Sequence, residues 1–298
     1  GTNGGGLNRL KNGAVHALTT RAGLPGDFVW SVLRDRSGSL WVGTEEAGVA
    51  RIQNDQITRY GATQGFKGAA RALLERADGS LWIAGDRGLF VVAGERARPI
   101  PLPGHEDDLL QALAEDVRGT LWIGTVGDGL LALADGKLRS FTITDGLVSD
   151  SVTALLPMPD GTLWVGTIGG INRMEADGRW TSLTTRDGLP GNYVGALFEG
   201  RKGDLWAATR SGLARIRDGR VASLSVADGL FDDALSSAGL GDDGRIWMGS
   251  YRGIFASPLD EIEELFAGRR TRVSSRSYGL EDGLLSLEMN RFGASRSK

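Results

Sequence analysis

The chain offers few side chains that could move protons or hold a metal. It has no cysteine, which excludes disulfides, thiolate zinc sites and cysteine nucleophiles. Histidine occurs twice, at His16 and His105. His105 opens an acidic run with Glu106, Asp107 and Asp108, and this spacing is not that of metal ligands on one helix face. The run reads as a solvated acidic loop. No GxSxG, HExxH or Walker string is present. The GTNGGG string at 1–6 follows no complete strand and opens no helix, so it is not a dinucleotide fingerprint.

Carboxylates are the remaining candidates. Asp145, Asp187, Asp228 and Asp282 each precede Gly-Leu. Two facing carboxylates can hydrolyse a glycoside. A catalytic pair is unique in its chain, however, whereas these aspartates mark the same place in successive units. Repetition makes them turn formers, a role that suits a short acid able to bond its own backbone. No catalytic residue, metal or cofactor is therefore expected.

What repeats with them is a whole structural unit. GSLWVGT, GSLWIAG, GTLWIGT, GTLWVGT, GDLWAAT and GRIWMGS carry Trp41, Trp82, Trp122, Trp164, Trp206 and Trp247, spaced 40 to 42 residues apart. Each unit reads as four short strands joined by Gly and Asp turns. In one of them Val152 to Leu156 is followed by the turn Asp160-Gly161, then Leu163 to Val165, Ile171 to Met174, and Trp180 to Leu183. Four-stranded units at this period are the blades of an all-β propeller. The recurring tryptophans are core wedges between blades, whereas Trp30 and Trp180 fall outside the register.

One segment breaks the period. Ser257 suits a helix N-cap, Pro258 the first helical position and Gly268 the stop, so a short helical insertion is expected over about 258–268, against the propeller's side. The ends of the chain suggest how the ring closes. Gly1 to Leu7 align with Gly43 to Val49, and Leu287 to Ser297 with an innermost strand. The expectation is a single domain, 1–298, with seven blades, the last shared by both termini. Residues around Arg291 to Arg296 would pair with the first twenty. Six blades with two frayed ends is the competing count. Gly1 falls inside a repeat, so the chain is expected to be a section of a longer protein.

Composition excludes some partners. Net charge is -3 and no Lys/Arg-rich run occurs, so neither nucleic acid nor an anionic membrane surface is an expected partner. No apolar stretch reaches the length needed to cross a membrane.

The DGLPxxxVxALLxxxDGxLWxGTxxGGLxR pattern resembles the two-component regulator propeller repeat over nearly the whole chain. The resemblance implies a periplasmic or extracellular sensor region of a membrane-anchored receptor. The implied output is a histidine kinase or a diguanylate cyclase, and the implied ligand a glycan or other small polar molecule. A homodimer through the full-length receptor is an expected partner arrangement. A protein-interaction platform is the second reading. An enzyme is the third: the DGxLW turns resemble sialidase Asp boxes, and Arg210, Tyr251 and Arg252 supply side chains such a site would want. A streptogramin-lyase-like propeller would need a catalytic histidine, and neither His16 nor His105 is well placed for it.

In a propeller the tip between the second and third strands meets the turn leading into the innermost strand at one mouth of the channel. At that mouth the non-glycine residues vary between units. The expected ligand contacts are Glu45, Glu46, Arg87, Asp128, Tyr193, Arg210, Tyr251 and Arg252. Arg71 and Gln111 are expected deeper, in an inner-strand position also held by Trp30, Thr153, Gly195 and Ser236.

Overall fold

The computed structural model describes residues 1–11, 13–46 and 48–290. Six four-stranded antiparallel sheets follow one another along the chain, at 29–60, 70–100, 110–141, 152–183, 194–224 and 235–278. They are blades 1 to 6 of a β-propeller, each running from its innermost strand outward. A seventh, two-stranded sheet pairs β1 (Leu7–Lys11) with β2 (Ala14–Leu18).

The expected count of seven blades is corrected: among the described residues six are complete. The termini contribute the β1–β2 hairpin and one antiparallel bridge, Thr2 to Met289, instead of a further four-stranded blade. Among the described residues no strand from a further DGxLWV string stands between the two termini. The segment Arg291 to Arg296, expected to pair with the first twenty residues, lies outside the described residues.

Blades are held together by the tryptophan of one wedged against the aliphatic second strand of the next. Trp41 packs on Leu81 and Ile83, Trp82 on Leu121 and Ile123, Trp122 on Leu163 and Val165, and Trp206 on Ile246 and Met248. These four indoles are buried. Trp164 and Trp247 are only half-buried, which corrects the expectation that all six are core. Trp247 has the hairpin rather than a complete blade beyond it, and it borders an open groove of about 790 Å³.

The indole N–H groups are also pinned. Trp41 donates to Asp35 at 2.8 Å, and Trp122 to Asp116 at 2.9 Å. Burial alone would raise the Asp35 pKa. Hydrogen bonds from Ser37, Trp41 and Ser39 outweigh it and hold the carboxyl below the ordinary aspartate range.

The glycine of LWxGT has a steric cause. A Cβ on Gly124 would lie 2.7 Å from Val152 Cγ1 of the next blade, and one on Gly166 2.8 Å from Val194 Cγ1. Where that position is glycine the next inner strand presses on it, whereas blades 2 and 5 carry Ala84 and Ala208 there. Gly1 meets Val29 in the same way, at 2.6 Å, so the predicted alignment of Gly1 with Gly43 holds in space.

The Asp-Gly-Leu aspartates are turn formers, as expected. Asp145, Asp187, Asp228 and Asp282 accept the backbone N–H three residues back, from Thr142, Thr184, Ser225 and Gly279, at 2.8 to 2.9 Å. The following glycines take positive φ, as at Gly146 (113°).

The insertion is α1, Leu259–Phe266, within blade 6. Pro258, not Ser257, is its N-cap, because the Ser257 hydroxyl is engaged with Ser275 at 2.8 Å. Leu259 and Ile262 bury on the blade 5–6 core beside Trp206. Glu263 takes ion pairs from Arg215 (2.7 Å) and Arg217 (3.3 Å). Arg217 is also bound to Asp204, and that hydrogen bond raises its guanidinium pKa further above the ordinary value.

Candidate functional site

Each innermost strand begins with the same irregularity. Its first residue pairs with the last residue of the second strand, one residue is skipped, and regular pairing resumes. The skipped residues are Trp30, Arg71, Gln111, Thr153, Gly195 and Ser236, the six that form the variable inner-strand position. They are β-bulge residues. A bulge takes a side chain out of the in–out alternation and re-aims it, so the position is released from packing the blade's own core. This is the physical reason it varies.

Some of the released side chains are engaged between blades. Gln111 donates to Val152 O at 2.8 Å, and Thr153 to Val194 O at 2.6 Å, each reaching the next blade's inner strand. Gln111, Thr153 and Ser236 are buried. Gln111, expected as a deep ligand contact, is thus a blade-to-blade strut. A buried amide needs such partners, and the neighbouring carbonyl offers one.

At the mouth, tip and lead-in turn are tied by backbone hydrogen bonds. Glu45 N donates to Phe28 O, Val126 N to Leu109 O, Ile168 N to Ser151 O and Arg210 N to Tyr193 O. The tip is closed from within by the strand-ending hydroxyl, as Thr44 Oγ1 to Gly48 O at 2.9 Å. Thr2 repeats that bond to Gly6 O at 3.0 Å. Several lead-in acids hold the turn and are engaged there: Asp27, Asp150 and Asp233 accept from the backbone N–H of Thr20, Ile143 and Val226.

A cavity of about 440 Å³ opens where blade 1, blade 6 and the joined termini meet. Phe28, Trp30 and Tyr251 give it aromatic walls, and Glu45, Glu46 and Glu288 line it with carboxylates. Glu288 accepts from Asn3 Nδ2 at 2.9 Å. Two polar atoms here are buried without a hydrogen-bond partner, Trp30 Nε1 and Glu45 Oε2. A buried polar atom left unpaired costs roughly 1–3 kcal/mol, so a ligand that satisfied both would bind with that much in its favour.

The expected residues separate into groups. Glu45, Glu46 and Tyr251 come together in the cavity. Arg71 stacks on Trp30, its guanidinium carbon 4.4 Å from the ring centre, and its Nε is buried and unpartnered. Arg210 stacks on Tyr193 at 3.9 Å and reaches Tyr251 Oη at 3.4 Å. Arg252 turns to Phe231, 4.7 Å from its ring and 3.5 Å from its carbonyl oxygen. Arg87 and Asp128 are exposed on tips outside the cavity. The cavity is also lined by Asn3, Phe28, Trp30 and Glu288, which were not among the expected ligand contacts. The signal for Trp30 was available: it is the largest aromatic at a position otherwise small or polar.

The histidines stand apart. His16 is exposed on β2, and His105 is paired with Asp108 at 2.7 Å. Neither lines the cavity.

Comparison with known proteins agrees with the repeat. Residues 23–46 and 188–211 match the family model described as two component regulator propeller. No curated protein matches the chain in sequence. The extracellular domain of a hybrid two component system from B. thetaiotaomicron shares the fold with TM-score 0.76 at 20% identity, over 90% of this chain and 36% of that one. The chain therefore spans about a third of that neighbour's length. Virginiamycin B lyase from Staphylococcus aureus aligns with TM-score 0.64 at 15% identity, over 84% of each chain. PorZ, a surface component of the type-IX secretion system of Porphyromonas gingivalis, aligns with TM-score 0.66 at 14% identity, over 94% of this chain and 46% of that one. At these identities the neighbours define the fold. The chain is a β-propeller, two segments of which, 23–46 and 188–211, match the two component regulator propeller model.

Proposed function

We propose that this propeller is the extracytoplasmic ligand-sensing domain of a bacterial signal-transduction receptor, binding a small polar ligand at the mouth and catalysing nothing. The observation that carries the reading is the aromatic-walled cavity holding Trp30 Nε1 and Glu45 Oε2 buried and unpartnered. A pocket of this kind, apolar-walled with a few fixed polar atoms, suits a small ligand. The family match and the extracellular domain of the two component system support the receptor context. On this reading the chain lies in the periplasm, in a membrane-anchored and dimeric receptor whose output is a kinase or cyclase.

The non-catalytic part rests on the site's chemistry. The recurring aspartates are spent on turns, and the histidines lie away from the cavity. The lyase neighbour shares the fold at 15% identity and carries no argument for its activity here. A protein-interaction platform is a second reading, favoured by the exposed Phe28, Val126, Ile168 and Tyr251 around the rim.

The test is a thermal-shift screen of sugars, glycan fragments and other polar metabolites, followed by titration of Trp30→Ala and Glu45→Ala. The reading expects a ligand whose affinity both variants weaken by about tenfold or more. A ligand bound equally by parent and both variants would move the site elsewhere.

A further inference from the structure

We infer that the cavity takes an organic cation, a ligand whose protonated amine sits among Phe28, Trp30 and Tyr251 with Glu45 as its counter-charge. This rests on the mouth being the ligand site and adds the sign of the ligand's charge.

The argument begins with the walls. The three aromatic rings supply π-faces, and among the described residues no lysine, arginine or histidine lines the cavity. A cation held against an aromatic face gains roughly 0.5–2 kcal/mol, more as water is excluded. Rings at this mouth already hold cations in that manner, with Arg71 on Trp30 and Arg210 on Tyr193. Those two guanidinium groups touch Trp30 and Tyr251 without lining the cavity, and the charged side chains that do line it among the described residues are the carboxylates of Glu45, Glu46 and Glu288.

The second element is Glu45. Among the described residues no cationic side chain forms an ion pair with it, and its Oε2 is buried. A carboxylate oxygen taken from water without a donor is stabilised by any donor that arrives, and most by a charged one. Glu46 and Glu288 add to the negative potential, and Glu288 is held in place by Asn3.

A metal ion fits less well. Aromatic walls offer a hard cation no ligands, Glu288 already has a partner, and the cavity of about 440 Å³ far exceeds a single ion. An ammonium group on a small organic body fills the volume and uses the rings. An amino sugar would also bring hydroxyls, one of which could accept from Trp30 Nε1.

The test uses matched ligands that differ in charge and little else. Calorimetry compares the β-1,4-linked glucosamine dimer with its N-acetylated counterpart, with spermidine and tetramethylammonium as simpler cations. We expect at least one amine to bind, with affinity falling as salt rises. Glu45→Gln and Trp30→Ala should each weaken it about tenfold or more, and Glu45→Gln should abolish most of the salt dependence. If the acetylated dimer or another neutral ligand binds at least as tightly as the amines, and Trp30→Ala still weakens it, the charge assignment is wrong and the mouth stands. If a ligand binds with no loss in either variant, both fail. Absence of binding by every amine up to millimolar concentration overturns the inference.

Discussion

Asn290 donates its side-chain amide to the carbonyl oxygen of Val29 at 2.7 Å, across 261 positions of chain. Gln111 makes the same kind of bond to Val152, and Thr153 to Val194. The joint between the end of the chain and blade 1 is therefore built like the joints between complete blades. Met289 bridges to Thr2 beside it, and Asn290 N donates to Gly1 O at 3.3 Å.

Asn290→Ala removes the donor and leaves Val29 O without it. We expect a loss of about 1–3 kcal/mol, read as a lower melting temperature and faster amide exchange in 1–10 and 285–290. An unchanged melt would show that the ring does not depend on this joint.

The tryptophan wedges should differ in worth. Trp206 is fully buried between blades 5 and 6, and Trp206→Ala should cost about 3–5 kcal/mol. Trp164 is half-buried under Arg173, so Trp164→Ala should cost less. Denaturant unfolding of the two variants checks the order, and equal losses would contradict it.

Acid stability should depend on the strand-turn acids. A hydrogen bond from the Ser80 hydroxyl holds the Asp78 pKa below its ordinary value, and the Thr162 backbone N–H does so for Asp160. A carboxyl lowered on folding contributes stability above the unfolded pKa of about 3.9, and that contribution disappears as pH falls through the folded value. Asp160→Ala should therefore destabilise at neutral pH and converge on the parent in strong acid. A constant difference across that range would contradict the assignment.

Helix α1 is held by Glu263 against Arg215 and Arg217. Glu263→Gln leaves Arg215 without its counter-charge. We expect earlier proteolysis within 259–275 and no change in ligand affinity, because the helix does not line the mouth cavity. Loss of binding in this variant would tie the helix to the site.

Much of the fold was legible because its signals are local. A tryptophan at fixed spacing, Asp-Gly turns and a Pro-started helix each declare themselves within a few residues. The blade count was not, because it depends on pairing between the two ends of the chain. At the candidate site, tip variability, a local signal, singled out Glu45, Glu46 and Tyr251, and these three line one cavity. Gln111 was misjudged for the opposite reason. Its partner, Val152 O, belongs to the next blade, and no property of Gln111's own strand reveals that the bulge aims it there. The stacking of Arg71, Arg210 and Arg252 on Trp30, Tyr193 and Phe231 was not legible, because no local pattern specifies which ring each guanidinium meets.

The central claim, that ligand enters at this mouth, is tested most directly by hydrogen–deuterium exchange with and without the tightest ligand from the screen. The account predicts slowed exchange concentrated in 28–31, 44–46, 250–252 and 287–290, with the outer strands and the helix unchanged. Protection confined to the outer strands or to the opposite face, with none at these segments, would contradict it.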